Sequence, residues 1–187
     1  MASEKMDRRV RKTRALLLKG LIQLMEERDI KDISVKELAD LVDINRGTFY
    51  LHYNDIYDML NKIEDELFRE FNEILDRDMT DSTQALSSRA TLLDIFNLLE
   101  KHRDIARVMI GPHGDLTFVN RLKELVKERL RHLLKTEYSA EAEYYYPFIV
   151  SGFVGVIETW LNQTDPLPPE RMAEICSGMI DIKYSRE

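Results

Sequence analysis

The chain has 187 residues, 44% of them apolar, with 27 Lys and Arg against 34 Asp and Glu, seven Gly and five Pro. This length suits one large domain or two small ones sharing a core. It excludes several classes: no run of about 18 apolar residues exists to span a membrane, and the charged start MASEKMDRRVRK lacks the apolar centre of a secretory signal. The single Cys176 cannot form an internal disulfide, so a reducing cytoplasm is the expected location.

The net charge of −7 weighs against a nucleic-acid partner, but its distribution weighs the other way. Residues 1–53 carry 11 basic and 9 acidic side chains, the remainder 16 and 25, and residues 1–20 alone carry 7 and 2. A basic end on an acidic body suits a DNA-touching head, although a charge run is also an ordinary solvated face. Val and Ile never alternate for long with polar residues, and helix formers abound. The expected fold is all-α, with an N-terminal three-helix helix-turn-helix domain, a C-terminal helical bundle domain and about nine helices in all.

In chain order, residues 1–7 are expected to be a leader outside the first helix, which should span about 8–28. Val10, Ala15, Leu17, Leu18, Leu21, Ile22, Leu24 and Met25 give that helix an apolar stripe. Arg8, Arg9, Arg11, Lys12 and Arg14 crowd its first turns against the helix dipole. An external polyanion would account for that placement, and so would a solubilising end. The stretch Ser34 to Tyr53, SVKELADLVDINRGTFYLHY, then reads as two short helices and a tight turn. Ser34 with Glu37 forms a capping box, and Val35, Leu38, Ala39 and Val42 share a face. Asn45 can cap a second helix over 46–52. By shape alone this is an ordinary helical hairpin or a helix-turn-helix. The side chains of the second helix favour the latter. Phe49 and Tyr53 belong to the core, leaving Arg46, Gly47, Thr48, Tyr50 and Leu51 over. Arg46 can read guanine with both arms. Thr48 suits a phosphate, a base edge or the thymine methyl, and Tyr50 and His52 can donate to phosphate oxygens. Gly47 costs roughly 1 kcal/mol in a helix, which close approach of backbone to duplex would justify.

A basic first helix followed by SVKELADLVDINRGTFYLHYNDIYDML resembles the N-terminal domain of the TetR family of transcriptional regulators, with Tyr50, Leu51, His52 and Tyr53 ending the recognition helix and a new helix following. The resemblance is strong over about residues 8–65. It implies DNA contact through Arg14, Lys36, Arg46, Gly47, Thr48, Tyr50 and His52. Two departures stand out: Asp43 where the family usually has Gly in the turn, and Ile56 where it often has Lys. Asp tolerates the left-handed conformation at some cost. Asn54 or Asp55 remains to cap the next helix.

That fourth helix, about 55–77 and roughly 33 Å long, is expected to link head and body as a lever, with DMTDSTQALSS, residues 78–88, as a loop. Further helices are expected around 91–99, 102–110 and 118–134, with Gly111, Pro112, His113 and Gly114 as a firm break. His102, His113 and Asp115 do not make a metal site, because no His lies three or four residues from another on one face. No nucleophile triad, P-loop or dinucleotide fingerprint is present, so neither an enzyme nor a cofactor is expected. A long helix from about Ser139 to Asn162 is apolar nearly all round, with Pro147 kinking it or marking a late start. Pro169 opens a last helix to about Ile182. Phe153, Val156, Ile157, Trp160, Met172, Ile175 and Met179 on these two helices are expected to pair two chains as a four-helix bundle, matching the homodimer the resemblance implies. Closing a monomeric core is the other use for such faces. The division is placed at 1–54 for DNA binding and 55–187 for effector binding and dimerisation.

Together these imply a sequence-specific DNA-binding regulator, a homodimeric repressor on an inverted repeat of double-stranded DNA, modulated by a small-molecule or protein effector. Phe96, Leu99, Met109, His113, Phe118, Tyr145 and Phe148 are the candidate effector-pocket residues, with ordinary core packing as the alternative use of each. The segment Gly111 to Phe118, GPHGDLTF, resembles a TetR subgroup similar to the dihydroxyacetone-kinase activator of Firmicutes, some members of which respond through a protein partner. Two rival classes stand beside this: a DNA-binding protein that uses the same head for architecture or activation with no small ligand, and a helical ligand- or protein-binding module that has lost DNA binding.

Overall fold

A computed structural model describes residues 2–78, 89–134 and 142–181. Among them the secondary structure is helical throughout: α1 Ala2–Met25, a 3-10 turn over Ile30–Asp32, α2 Val35–Leu41, α3 Arg46–Tyr50, α4 Ile56–Asp78, α5 Arg89–Lys101, α6 Arg103–Ile110, α7 Leu116–Leu134, α8 Ala142–Leu161 and α9 Pro169–Asp181. The all-α expectation therefore holds. The expected loop over 79–88 and the cap at Ser139 lie outside the described residues. Residues 2–7 are helical rather than a leader. Nothing between Ala2 and Arg8 breaks a helix, so α1 extends to Ala2. Pro147 sits inside α8, and Pro169 opens α9, where its missing N–H costs no helical bond.

The chain forms two compact units, 1–65 with 108–114, and 66–107 with 115–187. The first therefore runs past the expected 54/55 division and takes in a distant segment. Its core joins Leu17, Leu21, Leu24 and Met25 of α1 to Leu38 of α2, Phe49 of α3, Tyr53, and Ile56, Met59 and Leu60 of α4. Val108, only 6% exposed, completes this cluster from the distant segment. His113 of the same segment pairs through Nδ1 with Asp29 Oδ1 at 2.8 Å. That hydrogen bond, helped by Lys31, holds the Asp29 carboxyl below the usual carboxylate range.

In the second unit, α9 packs on α5 and α8 on α7. Phe96 meets Trp160 edge to face, 5.2 Å between centroids, and the Arg103 guanidinium covers the other ring at 4.6 Å. Arg103 also donates to the Trp160 carbonyl at the end of α8 at 2.8 Å, beside the Gln163 amide at 3.3 Å. Burial pushes the Cys176 thiol up to about 11, so it acts as a small apolar core residue.

Candidate nucleic-acid interface

The helix-turn-helix is built by local chemistry at each junction. Ser34 Oγ accepts from the Glu37 amide at 3.2 Å, opening α2. The return half of the expected capping box is replaced, because Glu37 pairs instead with Arg28 at 2.6 Å. α2 closes with Asp43 at φ 53°, the left-handed position that the family resemblance assigns to Gly. The Ile44 amide reaches back to the Ala39 carbonyl at 3.0 Å and the Asp43 amide to Asp40 at 3.4 Å. This pair of bonds is the Schellman motif, and it places Ile44 back on the apolar cluster. The turn therefore survives without glycine. Asn45 then caps α3, its Oδ1 accepting from the Gly47 amide at 2.8 Å. A Cβ at Gly47 would lie 3.3 Å from that oxygen, so glycine also keeps room for the cap.

α3 has one anchored face. Phe49 is fully buried and stacks near Tyr53, 5.6 Å between centroids. Arg46, Gly47 and Tyr50 are exposed, Tyr50 by 58%, while Thr48 and His52 are half-buried. Arg14 and Lys36 are exposed on α1 and α2. All seven residues expected at DNA thus belong to the first unit. Burial, together with the nearby positive charge of Arg14, holds the His52 imidazole below its usual pKa.

α4 begins differently from the family pattern. Ile56 is 4% exposed and part of the core, so the place where a cation was sought is an apolar anchor. Asp55 is the cap: its Oδ1 accepts from the Asp58 amide at 2.7 Å, and Asp58 Oδ2 accepts from the Asn54 amide at 2.8 Å. Lys62, which sequence reasoning passed over, donates to Asp58 at 2.9 Å and to the His52 carbonyl at 3.3 Å. The Asp–Lys spacing of four on a helix was its visible signal.

The expected effector-pocket residues are divided between the two units. Met109 and His113 belong to the first unit, the latter bonded to Asp29. Phe96 is committed to Trp160, Phe118 is buried, and Leu99 is half-buried in the second unit. Phe148 is 75% exposed, and the side chain of Tyr145 lies outside the described residues. Two of the expected dimer residues are buried within their own chain. Trp160 is 1% exposed within its own chain, its ring held by Phe96 and Arg103 and its Nε1 donating to the Leu167 carbonyl at 2.7 Å. Met172 is likewise buried. Phe153, Val156, Ile157 and Ile175 are half-buried, and Met179 is exposed. An open groove of about 420 Å³ runs past Gly152, Gly155, Val156, Thr159 and Ile175. Among the described residues no three His, Cys, Asp or Glu are grouped to hold a metal, and no helix is long and apolar enough to cross a membrane.

Residues 87–182 match the family model for the TetR-type transcriptional regulator C-terminal region. The chain belongs to the TetR family of transcriptional regulators. This family comprises regulators, not enzymes, and its members bind DNA and dimerise. An uncharacterised HTH-type transcriptional regulator of Bacillus subtilis, YxbF, is 24% identical over 169 residues, covering 86% of this TetR-family chain; the chain spans 42% of that relative's length. Among solved structures, a TetR regulator from Streptococcus agalactiae is similar at TM-score 0.61 and 20% identity, covering 95% of this chain and 98% of its own. A TetR/AcrR-type regulator from Aquifex aeolicus is similar at TM-score 0.64 and 13% identity, covering 91% and 99%. The dihydroxyacetone kinase operon activator DhaS shares the fold at TM-score 0.55 and 14% identity, covering 91% and 95%.

Proposed function

We propose that this TetR-family regulator binds an inverted-repeat operator as a homodimer in the cytoplasm, acting as a repressor whose affinity an effector modulates. The observation that carries the DNA reading is α3 itself. Its inner face is fixed by Phe49, while Arg46 and Tyr50 stand exposed on a helix whose start is capped by Asn45. Arg46 is assigned to a guanine edge, Thr48 to a base edge or phosphate, and Tyr50, His52, Arg14 and Lys36 to phosphates, with Gly47 at the closest backbone approach. A two-fold dimer presents two such helices to half-sites about 34–36 Å apart or a multiple of that distance. The dimer reading is supported by the outward side of α8 and α9, where Tyr144, Phe148 and Met179 are exposed beside open space over Gly152 and Gly155. An effector acting on the second unit would shift α4, which runs through both units, and so change operator affinity. Its class is a small molecule or, following the GPHGDLTF resemblance, a protein partner.

The test is a salt titration on DNA from upstream of its own gene. Binding should be saturable and weaken steeply with salt. Thr48→Ala combined with Tyr50→Phe should weaken it by about 1–3 kcal/mol, as loss of a base or phosphate contact does. A dimeric wild type that fails to shift this DNA at about 50–100 mM salt would end the autoregulatory reading.

A further inference from the structure

We propose that Lys62 is a positioning residue for the DNA-reading surface, fixing the end of the recognition helix against α4 from a place that does not itself touch DNA. The role rests on the DNA-binding reading above. Five residues, Leu51 to Asp55, connect α3 to α4, and the last four of them are held by Asp58 and Lys62 on the first two turns of α4. His52 is held through its carbonyl, 3.3 Å from Lys62 Nζ, and Tyr53 through its ring face, 5.4 Å from the same nitrogen. Asn54 is held through its amide, donating to Asp58 Oδ2 at 2.8 Å, and Asp55 through its carboxylate, accepting from the Asp58 amide at 2.7 Å. Asp58 and Lys62 close the set at 2.9 Å, one helical turn apart.

The arrangement divides labour between two neighbouring positions. Ile56 sits in the core and supplies the apolar anchor of α4. The cation of this junction comes from Lys62 instead, and its ammonium is already spent on a carboxylate, a carbonyl and a ring. His52 lies two residues past the end of α3, and a lysine donating to its carbonyl holds the chain as it leaves the helix and suits the negative end of the helix dipole. Tyr50 and His52, the phosphate donors at that end, depend on where this carbonyl is held. Lys62 therefore acts on DNA through geometry, whereas Arg14 and Lys36, which are exposed on α1 and α2, act through charge.

The experiment compares wild type, Lys62→Met and Lys62→Arg in the full chain. One arm titrates a fluorescent duplex from upstream of its own gene and a random-sequence duplex over a salt series. The other follows amide hydrogen exchange at residues 52–55 without DNA. Lys62→Met should weaken binding roughly 3–30-fold, keep the salt slope of wild type, and speed exchange at residues 52–55. Lys62→Arg should recover the affinity. Wild-type affinity in Lys62→Met, or a salt slope reduced by about one unit with exchange unchanged, overturns the role; the latter is the signature of a direct phosphate contact. Wild type that binds neither duplex overturns the DNA-binding reading itself, and unchanged exchange in Lys62→Met then removes the junction clamp as well. If Lys62→Met does not fold, Lys62→Gln, which keeps a donor without the charge, carries the same comparison.

Discussion

His52 is the residue where protonation and DNA binding meet. Burial and the charge of Arg14 depress its pKa below the ordinary 6.5. A folded-state pKa below the unfolded one means the unfolded chain takes the proton first, so this group's contribution to stability falls as pH drops through about 6.5. At neutral pH the ring is neutral and offers a single N–H donor. A neighbouring phosphate favours the imidazolium, so the DNA complex should take up a proton that the free protein does not hold. Operator affinity should therefore rise as pH falls from about 7.5 to 5.5, and His52→Gln should flatten that rise. Anisotropy titrations at constant ionic strength read both, and a flat wild-type profile would take His52 off the contact surface. Residues governed by local rules were legible in the sequence: Asn45 as a cap, Phe49 and Tyr53 as core, and Asp43 as a left-handed turn residue all depend on neighbours within a few positions. Trp160 was not legible, because its burial depends on Phe96 and Arg103, some sixty residues away.

At the scale of helices, Gly20 sets how closely α1 and α2 pack. A Cβ there would overlap Val42 Cγ1 and come within 2.8 Å of Leu38 Cδ1. Alanine gains about 1 kcal/mol of helix propensity, but overpacking of a tight contact costs about 1–3 kcal/mol. Val42 is β-branched and stiff, so the clash should win. Gly20→Ala is expected to lower the urea midpoint, and an unchanged or raised midpoint would mean that α2 shifts freely. The sequence carried only a hint of this, an isolated glycine within a strongly periodic helix. The helices themselves were easier to find, since apolar spacing and proline punctuation mark most of them. α8 resisted for a physical reason: with apolar side chains on every side, periodicity cannot separate the face that meets its own chain from any other. Trp160, on this helix, is buried within its own chain.

For the molecule as a whole, the open flank of α8 gives a direct test of pairing. A Cβ at Gly155 would meet nothing within 4 Å beyond its own stretch of helix, and leucine is the better helix former. Gly155→Leu should leave the circular dichroism spectrum and melting point of the single chain intact or improved while abolishing the dimer. Light scattering at micromolar concentration decides it, and a wild type that is already monomeric would remove pairing through this flank altogether. The second unit also shows where a sequence reading stops: of the seven proposed pocket residues, Phe96 packs against Trp160 and Phe148 is exposed, a contact and an exposure that spacing along the chain does not announce.

Val108 and His113 have a consequence for how such proteins can be recombined. The recognition unit is completed by a piece of chain encoded more than forty positions downstream of the rest of it. It is consequently not a cassette. A chimera that joins this N-terminal region to another member's body at a single crossover would receive a foreign residue where Val108 fills the core and a foreign side chain opposite Asp29. A faithful transplant needs two crossovers more, carrying residues 108–114 along with the head, and the specificity of one regulator can be moved onto the sensing body of another only by a graft drawn along packing rather than along sequence.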